Sequence, residues 1–397
     1  MALEKTTWKP APLVALMMLI ILLAGCHEDA GTNDATDDSD GDGGFDGEVW
    51  IGGIMVFSGG AGPLGESAKQ GMELAAAEIN AAGGVNGKEL KLDFGDTKLE
   101  PSEATRVFQD KIAGGRIQAV VGALASGITA ALIAPSKEGE VVLMSPASTL
   151  AELTRPRQSD YFFRIIPSDI IQGTQAASLV FNDLEMSETV VMYQNNAYAS
   201  GLKDVFVEEY EKLTGTVDGA PIAFDASDVA GYPSQAQEAV QAAPGHIWIA
   251  GQYPEIGHMI KELRDAGYDG PIMTSEAIED SRIFEIATSE LDGVLFTKPA
   301  IDTDASTYSD FGTAFQARFG AGPGAYSAYG YDALHVLAEA MEKGGESGPQ
   351  IRAAVQDTTF TGRVSNPTVD FNQNGDVSAG DYVLWQIDGE AFVLYDA

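Results

Sequence analysis

The chain has 397 residues and a formal net charge of −36 at pH 7, with 59 aspartates and glutamates against 23 lysines and arginines. Nucleic-acid binding depends on clustered basic side chains that contact phosphates, so this composition predicts no nucleic-acid partner. The single cysteine excludes an intramolecular disulfide and a cysteine-based zinc cluster. Glu255 and His258 stand three residues apart on a predicted helix, but no third ligand lies near them, so no metal site is predicted.

The first residues have the features of an export signal. Lys5 and Lys9 precede an apolar run over residues 13–25, which is shorter than the about 20 residues of a membrane-spanning helix. The run ends in Leu-Ala-Gly followed by Cys26, a sequence that resembles the lipobox of bacterial lipoproteins. We expect residues 1–25 to be removed and Cys26 to be lipidated, so that the exported protein is anchored in the cell envelope without spanning a membrane. An ordinary secretory peptide with an incidental cysteine is the alternative.

After the signal, the sequence divides into a tether and a folded part. Residues 26–48 are acidic and lack lysine and arginine, which predicts a flexible tether. The remainder is long for one compact domain, so we expect two lobes. Buried strand patterns alternate there with amphipathic helices, as in parallel sheets covered by helices on both faces. The predicted strands are 50–57, 90–94, 119–121, 141–144, 190–193, 247–250 and 294–297, and the predicted helices include 66–82, 102–113, 128–138, 202–213 and 254–266.

Residues 60–65, Gly-Ala-Gly-Pro-Leu-Gly, match the G-x-G-x-x-G pattern of dinucleotide-binding proteins and follow the first predicted strand. That pattern requires an acidic residue about 20 residues further on, at the end of the second strand. Here Asp93 and Asp96 come about 30 residues after Gly65, which is too late. We therefore predict no nucleotide cofactor and interpret the glycines as allowing a tight turn at the mouth of a cleft.

Residues 370–381 place oxygen-bearing side chains at the spacing of a calcium-binding loop, with Gly375 at the sixth position and Asp381 at the twelfth. Such a loop lies between helices, whereas residues 382–387 and 391–395 are predicted to be strands around a turn at 388–389. The sequence therefore favours a turn that leads into a hairpin.

Two hydroxyl-rich turns follow neighbouring predicted strands. Residues 125–127 (Ala-Ser-Gly) come after the strand at 119–121, and residues 145–149 (Ser-Pro-Ala-Ser-Thr) come after the strand at 141–144. In doubly wound sheets, ligands bind beyond the carboxyl ends of strands, where helix N-termini offer free N–H groups to an anion. Either turn alone is typical of a helix cap, but the two together favour a carboxylate site.

With these turns, the sequence resembles the branched-chain (leucine/isoleucine/valine) amino-acid-binding family of ABC transporter substrate-binding proteins. The resemblance extends from about residue 49 to residue 397 and rests on 77–87 (AEINAAGGVNG), 145–149, 253–255 (YPE) and the closing hairpin. It implies an α/β fold of the type I periplasmic binding class, with two doubly wound parallel-sheet lobes and a three-crossing hinge. The implied lobes are 49–167 plus 300–365 and 168–299 plus 366–397, with crossings near Pro167, Pro299 and Asn366.

Carried over residue by residue, the resemblance implies a site for both ends of an α-amino acid. Ser126 and Thr149 would hold the ligand carboxylate through their hydroxyls, with a backbone contact from Ser148 beside them. Glu276 would pair with the ligand ammonium and is expected to be ionised at neutral pH. Tyr198 would close over the ligand from the second lobe.

The implied side-chain pocket departs from the family pattern. Tyr326 and Leu124 match its walls, but Leu64 stands where leucine-specific relatives carry a tryptophan and Gln252 where they carry a tyrosine. We expect a monomer without a cofactor that binds an aliphatic or branched-chain amino acid and delivers it to a membrane ABC permease. The alternatives are the same fold with urea, a short amide or an aromatic acid as its ligand, or a sensory receptor. No Gly-x-Ser-x-Gly motif is present, so an exported hydrolase is not predicted.

Overall fold

The computed structural model describes residues 45–226, 228, 232–242 and 244–395. The predicted signal peptide, Cys26 and most of the predicted tether lie outside the described residues. Within the described part, no helix has both the length and the apolar character needed to cross a membrane.

Helices and strands alternate along most of the chain. The strands are β1 (Glu48–Met55), β2 (Glu89–Asp96), β3 (Ile117–Gly122), β4 (Val142–Ser145), β5 (Phe162–Arg164), β6 (Glu188–Gln194), β7 (Thr216–Val217), β8 (Ile222–Phe224), β9 (Ile247–Ala250), β10 (Ile272–Thr274), β11 (Leu295–Pro299), β12 (Phe360–Thr361), β13 (Thr368–Val369), β14 (Tyr382–Asp388) and β15 (Ala391–Leu394). The α-helices are α1 (Gly62–Ala81), α2 (Pro101–Ile112), α3 (Ser126–Glu138), α4 (Asp169–Ser178), α5 (Ala197–Lys212), α6 (Tyr232–Gln241), α7 (Glu255–Asp265), α8 (Ser306–Phe319), α9 (Ser327–Gly344) and α10 (Gly348–Asp357). Short 3₁₀ segments include Ala151–Leu153, Glu276–Ile278 and Ser281–Glu285.

Two large sheets organise most of these elements, and β12 and β13 form a separate antiparallel pair. The first has the order β2-β1-β3-β4-β5 and is parallel throughout. The second has the order β15-β14-β11-β10-β9-β6-β7, with β8 also paired to β6, and only the β14–β15 hairpin is antiparallel to its neighbours. We call the parts of the chain packed on these sheets the first lobe and the second lobe. The predicted fold class is confirmed.

Both faces of each sheet are buried, which explains the continuous apolar strands. In β4, Val142 and Met144 pack into one apolar cluster while Leu143 packs into another on the opposite face. In β9, Ile249 likewise packs into one apolar cluster and Trp248 into another on the opposite face. This two-residue alternation is the geometry of a pleated strand covered by helices on both sides.

The glycines at 60–65 serve close packing more than a turn. Gly59, just before them, has the positive φ of +71°, whereas Gly62 and Gly65 already belong to α1. A Cβ atom on Gly65 would lie 1.7 Å from the carbonyl oxygen of Val56. The predicted tight turn therefore lies one residue earlier, and Gly65 lets α1 approach the end of the first strand.

The third crossing between the lobes differs from the predicted position at Asn366. Phe371 packs in the apolar cluster of the first lobe, and Asp376 forms a parallel bridge with Arg164 at the end of β5. The chain joins the second sheet only at Tyr382, whose hydroxyl donates a 3.0 Å hydrogen bond to the carbonyl of Pro167. The third crossing thus lies between Val377 and Tyr382, beside the first crossing.

The acidic loop at 370–381 is a turn whose oxygens accept from arginines. Asn372 Oδ1 accepts from the backbone N–H groups of Asn374 and Asp376, at 2.8 and 3.2 Å. Arg164 Nε donates to Asp376 Oδ1 at 2.6 Å, and Arg157 donates to the carbonyl of Gln373. These guanidinium groups occupy loop oxygens that would otherwise be free to bind a cation.

Candidate functional site

A cavity of about 510 Å³, measured with its open mouth, lies between the two lobes. Seven of the nine residues predicted to bind ligand line it: Leu64, Leu124, Ser126, Tyr198, Gln252, Glu276 and Tyr326. The structure therefore brings together side chains from six separate stretches of sequence. Its lining also includes Val56, Ala61, Leu99, Ala125, Ala147, Tyr253 and Ala277, which the sequence did not predict as site residues.

Ser126 is the first residue of α3 and is not its N-cap. The capping position is occupied by Ala125, and the Ser126 hydroxyl makes no capping hydrogen bond. Its oxygen instead accepts a long 3.4 Å hydrogen bond from the backbone N–H of Leu150. Ala125 and Ser126 both line the cavity, so the N-terminus of α3 and the Ser126 hydroxyl adjoin it together, an arrangement suited to an anion.

Ser148 and Thr149 lie behind the cavity wall and do not line it. The Ser148 hydroxyl contacts Thr129 Oγ1 at 2.7 Å, and its backbone N–H donates to Ser145 Oγ at 2.8 Å, so both groups serve the loop itself. Thr149 is fully buried, yet its hydroxyl has no hydrogen-bond partner among the described residues. Neither side chain therefore reaches the cavity in this structure, unlike Ser126.

Arg164, which the sequence did not predict as part of the site, holds this loop in place. It is fully buried, and its Nη1 donates to the carbonyls of Thr149 and Leu150 at 2.5 and 2.8 Å. Its Nη2 donates to Ser168 Oγ at 2.8 Å, and Ser168 caps α4. One guanidinium therefore fixes the turn that carries Thr149 to the beginning of α4.

Glu276 is the acidic group of the cavity. It begins the 3₁₀ segment after β10, and only 6% of its surface is exposed. Tyr198 Oη lies 3.0 Å from each of its two carboxylate oxygens and donates to one of them at a time, and Gln172 Nε2 also donates to the carboxylate. Burial raises the pKa of Glu276 to about 7, although these hydrogen bonds lower it. The carboxyl is thus only partly ionised at neutral pH, contrary to the prediction, because the cleft removes water from it.

Asp169 is a second buried acid that the sequence did not single out. It is the first residue of α4 and is fully buried, and neither carboxylate oxygen accepts a hydrogen bond within the described part of the chain. Burial, and then the negative charge of Glu276, raise its pKa well above the ordinary value. Asp169 does not line the cavity, but its carboxyl is close enough to Glu276 for the two negative charges to disfavour each other, which a positive charge would relieve.

The remaining walls of the cavity are mostly apolar. Leu124 and Tyr326 are buried, while Leu64 is half-buried on α1. Leu99, at the rim, is 45% exposed and has a positive φ of +59°, which is unusual for a leucine. The apolar lining indicates a ligand that has an apolar body beside its charged ends.

Across the mouth of the cleft, Arg282 of the second lobe reaches the first lobe. Its Nη2 donates to the carbonyl of Gly60 at 3.4 Å. The same guanidinium pairs with Asp280 at 2.6 Å and lies 4.8 Å from the centre of the Tyr253 ring. Among the described residues, no group of three or more His, Cys, Asp or Glu side chains is placed to hold a metal ion.

A family model described as periplasmic binding protein matches residues 48–391. The chain belongs to the periplasmic binding protein family. Members and structural neighbours are solute-binding proteins that act outside the cytoplasm, so this periplasmic binding protein is not an enzyme.

Relatives of this periplasmic binding protein differ in the ligands that they bind. The leucine-, isoleucine-, valine-, threonine- and alanine-binding protein of Pseudomonas aeruginosa is 26% identical over 330 residues, 81% of this chain and 85% of that one. The branched-chain amino acid transporter substrate-binding protein LivJ of Streptococcus pneumoniae, in complex with isoleucine, has a TM-score of 0.78 and 26% identity over 88% of this chain and 100% of that one. A solute-binding protein of R. palustris in complex with benzoate has a TM-score of 0.77 and 18% identity over 87% and 95% of the two chains. The shared fold therefore does not determine the ligand.

Proposed function

We propose that this protein binds an α-amino acid in the cavity between its lobes and delivers it to the permease of an ABC importer. The single observation that carries the proposal is Glu276, a buried carboxylate held by Tyr198 and Gln172 at the wall of that cavity. A carboxylate buried without a positive partner is unfavourable, and a ligand ammonium would supply one.

The other end of the ligand would be an anion. Ser126 lines the same cavity at the N-terminus of α3, where backbone N–H groups and the helix dipole favour negative charge. No Lys, Arg or His side chain lines the cavity among the described residues, so the anion would be held by hydrogen bonds. A carboxylate at Ser126 and an ammonium at Glu276 together describe an amino acid.

The side chain of the ligand would lie against the apolar walls. Leu64, Leu124 and Tyr326 provide them, in agreement with an aliphatic side-chain body. The amino acids named for the Pseudomonas relative and the isoleucine of the Streptococcus complex support the same ligand class. A lone carboxylate such as benzoate lacks the ammonium that Glu276 and Asp169 favour.

A thermal-shift screen tests this function. Amino acids, urea, short amides, aromatic acids and benzoate would each be added to the protein. A ligand at 100 times its dissociation constant stabilises the folded state by about 2.7 kcal/mol, which is a clear increase in melting temperature. We expect at least one amino acid to raise the melting temperature clearly. Responses only to ligands without an ammonium would contradict the proposal.

The membrane attachment is a separate part of the proposal. Cys26, outside the described residues, is the only cysteine of the chain and would carry the lipid. We expect Cys26→Ala to be exported and to appear in the soluble fraction, while the parent fractionates with membranes. A Cys26→Ala protein that stays with the membranes would contradict lipid anchoring and leave ligand binding unaffected.

A further inference from the structure

The side chain of Gln252 is oriented by a chain of hydrogen bonds. The backbone N–H of Ala199 donates to Asn196 Oδ1 at 2.8 Å, as part of the cap of α5. A backbone N–H can only donate, so Asn196 must present its oxygen there and its Nδ2 elsewhere. That Nδ2 donates to Gln252 Oε1 at 3.4 Å. The order of these donors fixes which end of the Gln252 amide faces Asn196.

The other end of the amide is therefore a donor. Gln252 Nε2 makes no hydrogen bond to any other described residue, and Gln252 lines the cavity. The hydroxyls of Tyr253 and Tyr326, in the same lining, also make no hydrogen bond within the described part of the chain. The cavity lining thus contains an amide N–H that can only donate and two hydroxyls that can donate or accept.

There is also room beyond Gln252. A side channel continues from the cavity and shares Leu99, Ser126, Tyr198 and Gln252 with it. No cationic side chain lines either space among the described residues. Ser126, which is proposed to hold the ligand α-carboxylate, lines both spaces, so a second carboxylate here would meet like charge without a cationic partner, whereas an uncharged acceptor fits.

From this geometry, we infer that the ligand is an amino acid whose side chain ends in an uncharged hydrogen-bond acceptor, a carboxamide, which Gln252 Nε2 recognises. The inference rests on the proposed amino-acid function and narrows its ligand class. An aliphatic ligand would leave the Gln252 donor desolvated and unpaired when the lobes close, which carries a free-energy cost. The stem of a carboxamide side chain would still pack on the apolar walls.

Calorimetry with glutamine, asparagine, leucine and glutamate tests the inference. We expect the parent to bind a carboxamide amino acid more tightly than leucine or glutamate. In Gln252→Leu, the affinity for that amino acid should fall about 10-fold, since one hydrogen bond between neutral groups is lost, while the affinity for leucine is kept or rises. Gln316→Leu, at an exposed position on α8, is the matched control and should change neither affinity.

A near-isosteric second variant covers the case in which Gln252→Leu fails to fold. Gln252→Glu can still accept from Asn196 but turns the donor into an acceptor, so it should weaken carboxamide binding as well. If the parent prefers leucine, or if both Gln252 variants leave the carboxamide affinity unchanged, the inference is wrong and the amino-acid function stands. If no amino acid binds the parent, the proposed function fails and the inference fails with it.

Discussion

The phenol oxygen of Tyr198 lies 3.0 Å from each carboxylate oxygen of Glu276. A single O–H can donate to only one of them at a time, and Gln172 supplies the second donor. The carboxylate is therefore held in one orientation before any ligand arrives. Such preorganisation lowers the cost of ordering a binding group.

Replacing this carboxylate should weaken ligand binding strongly. Glu276→Gln keeps the shape but leaves the ligand ammonium without a counter-charge in a site from which water is removed. The expected loss is about 2–5 kcal/mol, or about 30-fold to several thousand-fold in affinity. Calorimetry with the best ligand of the screen measures it, and Glu285→Gln, exposed on the same lobe, is the control. An affinity within about threefold of the parent would show that Glu276 does not pair with the ligand.

Binding should also weaken in mild acid. Burial raises the pKa of Glu276 to about 7, and the ammonium favours the ionised carboxylate, so below this pH a proton must leave when the ligand binds. As the pH is lowered from about 7 to about 5, we expect the affinity to fall by up to about 10-fold per pH unit. Glu276→Gln should show a flatter profile over the same range. An affinity of the parent that is constant from about pH 8 to 5 would contradict this linkage.

The same substitution should stabilise the protein when no ligand is present. A carboxyl whose pKa is raised from 4.5 to about 7 by folding destabilises the folded state as the pH rises through that interval. Above that pH interval, removing the charge of Glu276 should raise the free energy of unfolding by up to about 3 kcal/mol. Urea unfolding at about pH 8 should therefore show Glu276→Gln to be more stable than the parent, with the difference shrinking toward pH 4. Equal stability at both pH values would mean that the burial of the charge has little energetic cost.

Arg164 is expected to be essential for stability, because removing it leaves Asp376 buried and unpaired. Arg164→Met should lower the free energy of unfolding by about 3–5 kcal/mol. The double variant Arg164→Met/Asp376→Leu should recover part of this loss, since no lone charge remains. Arg318→Met, at an exposed position on α8, is the control for loss of an arginine. A single variant as stable as the parent, measured by urea unfolding, would contradict the role assigned to the ion pair.

The sequence correctly predicts the strands and turns that depend on hydrophobic periodicity and on local turn residues. The strands at 119–121 and 247–250 and the closing hairpin lie where the apolar patterns placed them, because both sheet faces are buried. Glu276 and Tyr198 were found by resemblance, and the fold brings them into hydrogen-bonding contact. Their contact joins residues far apart in sequence, so no local pattern could show it.

The missed residues lack a local signal. Asp169 is one of many acids in the sequence, and only its burial without a hydrogen-bond partner distinguishes it. Arg164 follows an ordinary short strand, and its role comes from carbonyls that tertiary folding brings around it. The crossing predicted at Asn366 was misplaced because the turn at 370–377 has no pattern that reveals which sheet it contacts.

The contact between Arg282 and Gly60 is expected to affect the lifetime of a bound complex. It joins the lobes at the mouth of the cleft, away from Glu276, and consists of one hydrogen bond of 3.4 Å. Such a bond forms only after the lobes meet, so it resists reopening without speeding the first encounter with the ligand. Because Asp280 and the Tyr253 ring hold the guanidinium on its own lobe, reopening frees Arg282 from the first lobe by breaking one hydrogen bond. A change at this contact should therefore alter how long the ligand stays bound without altering the residues that determine ligand specificity.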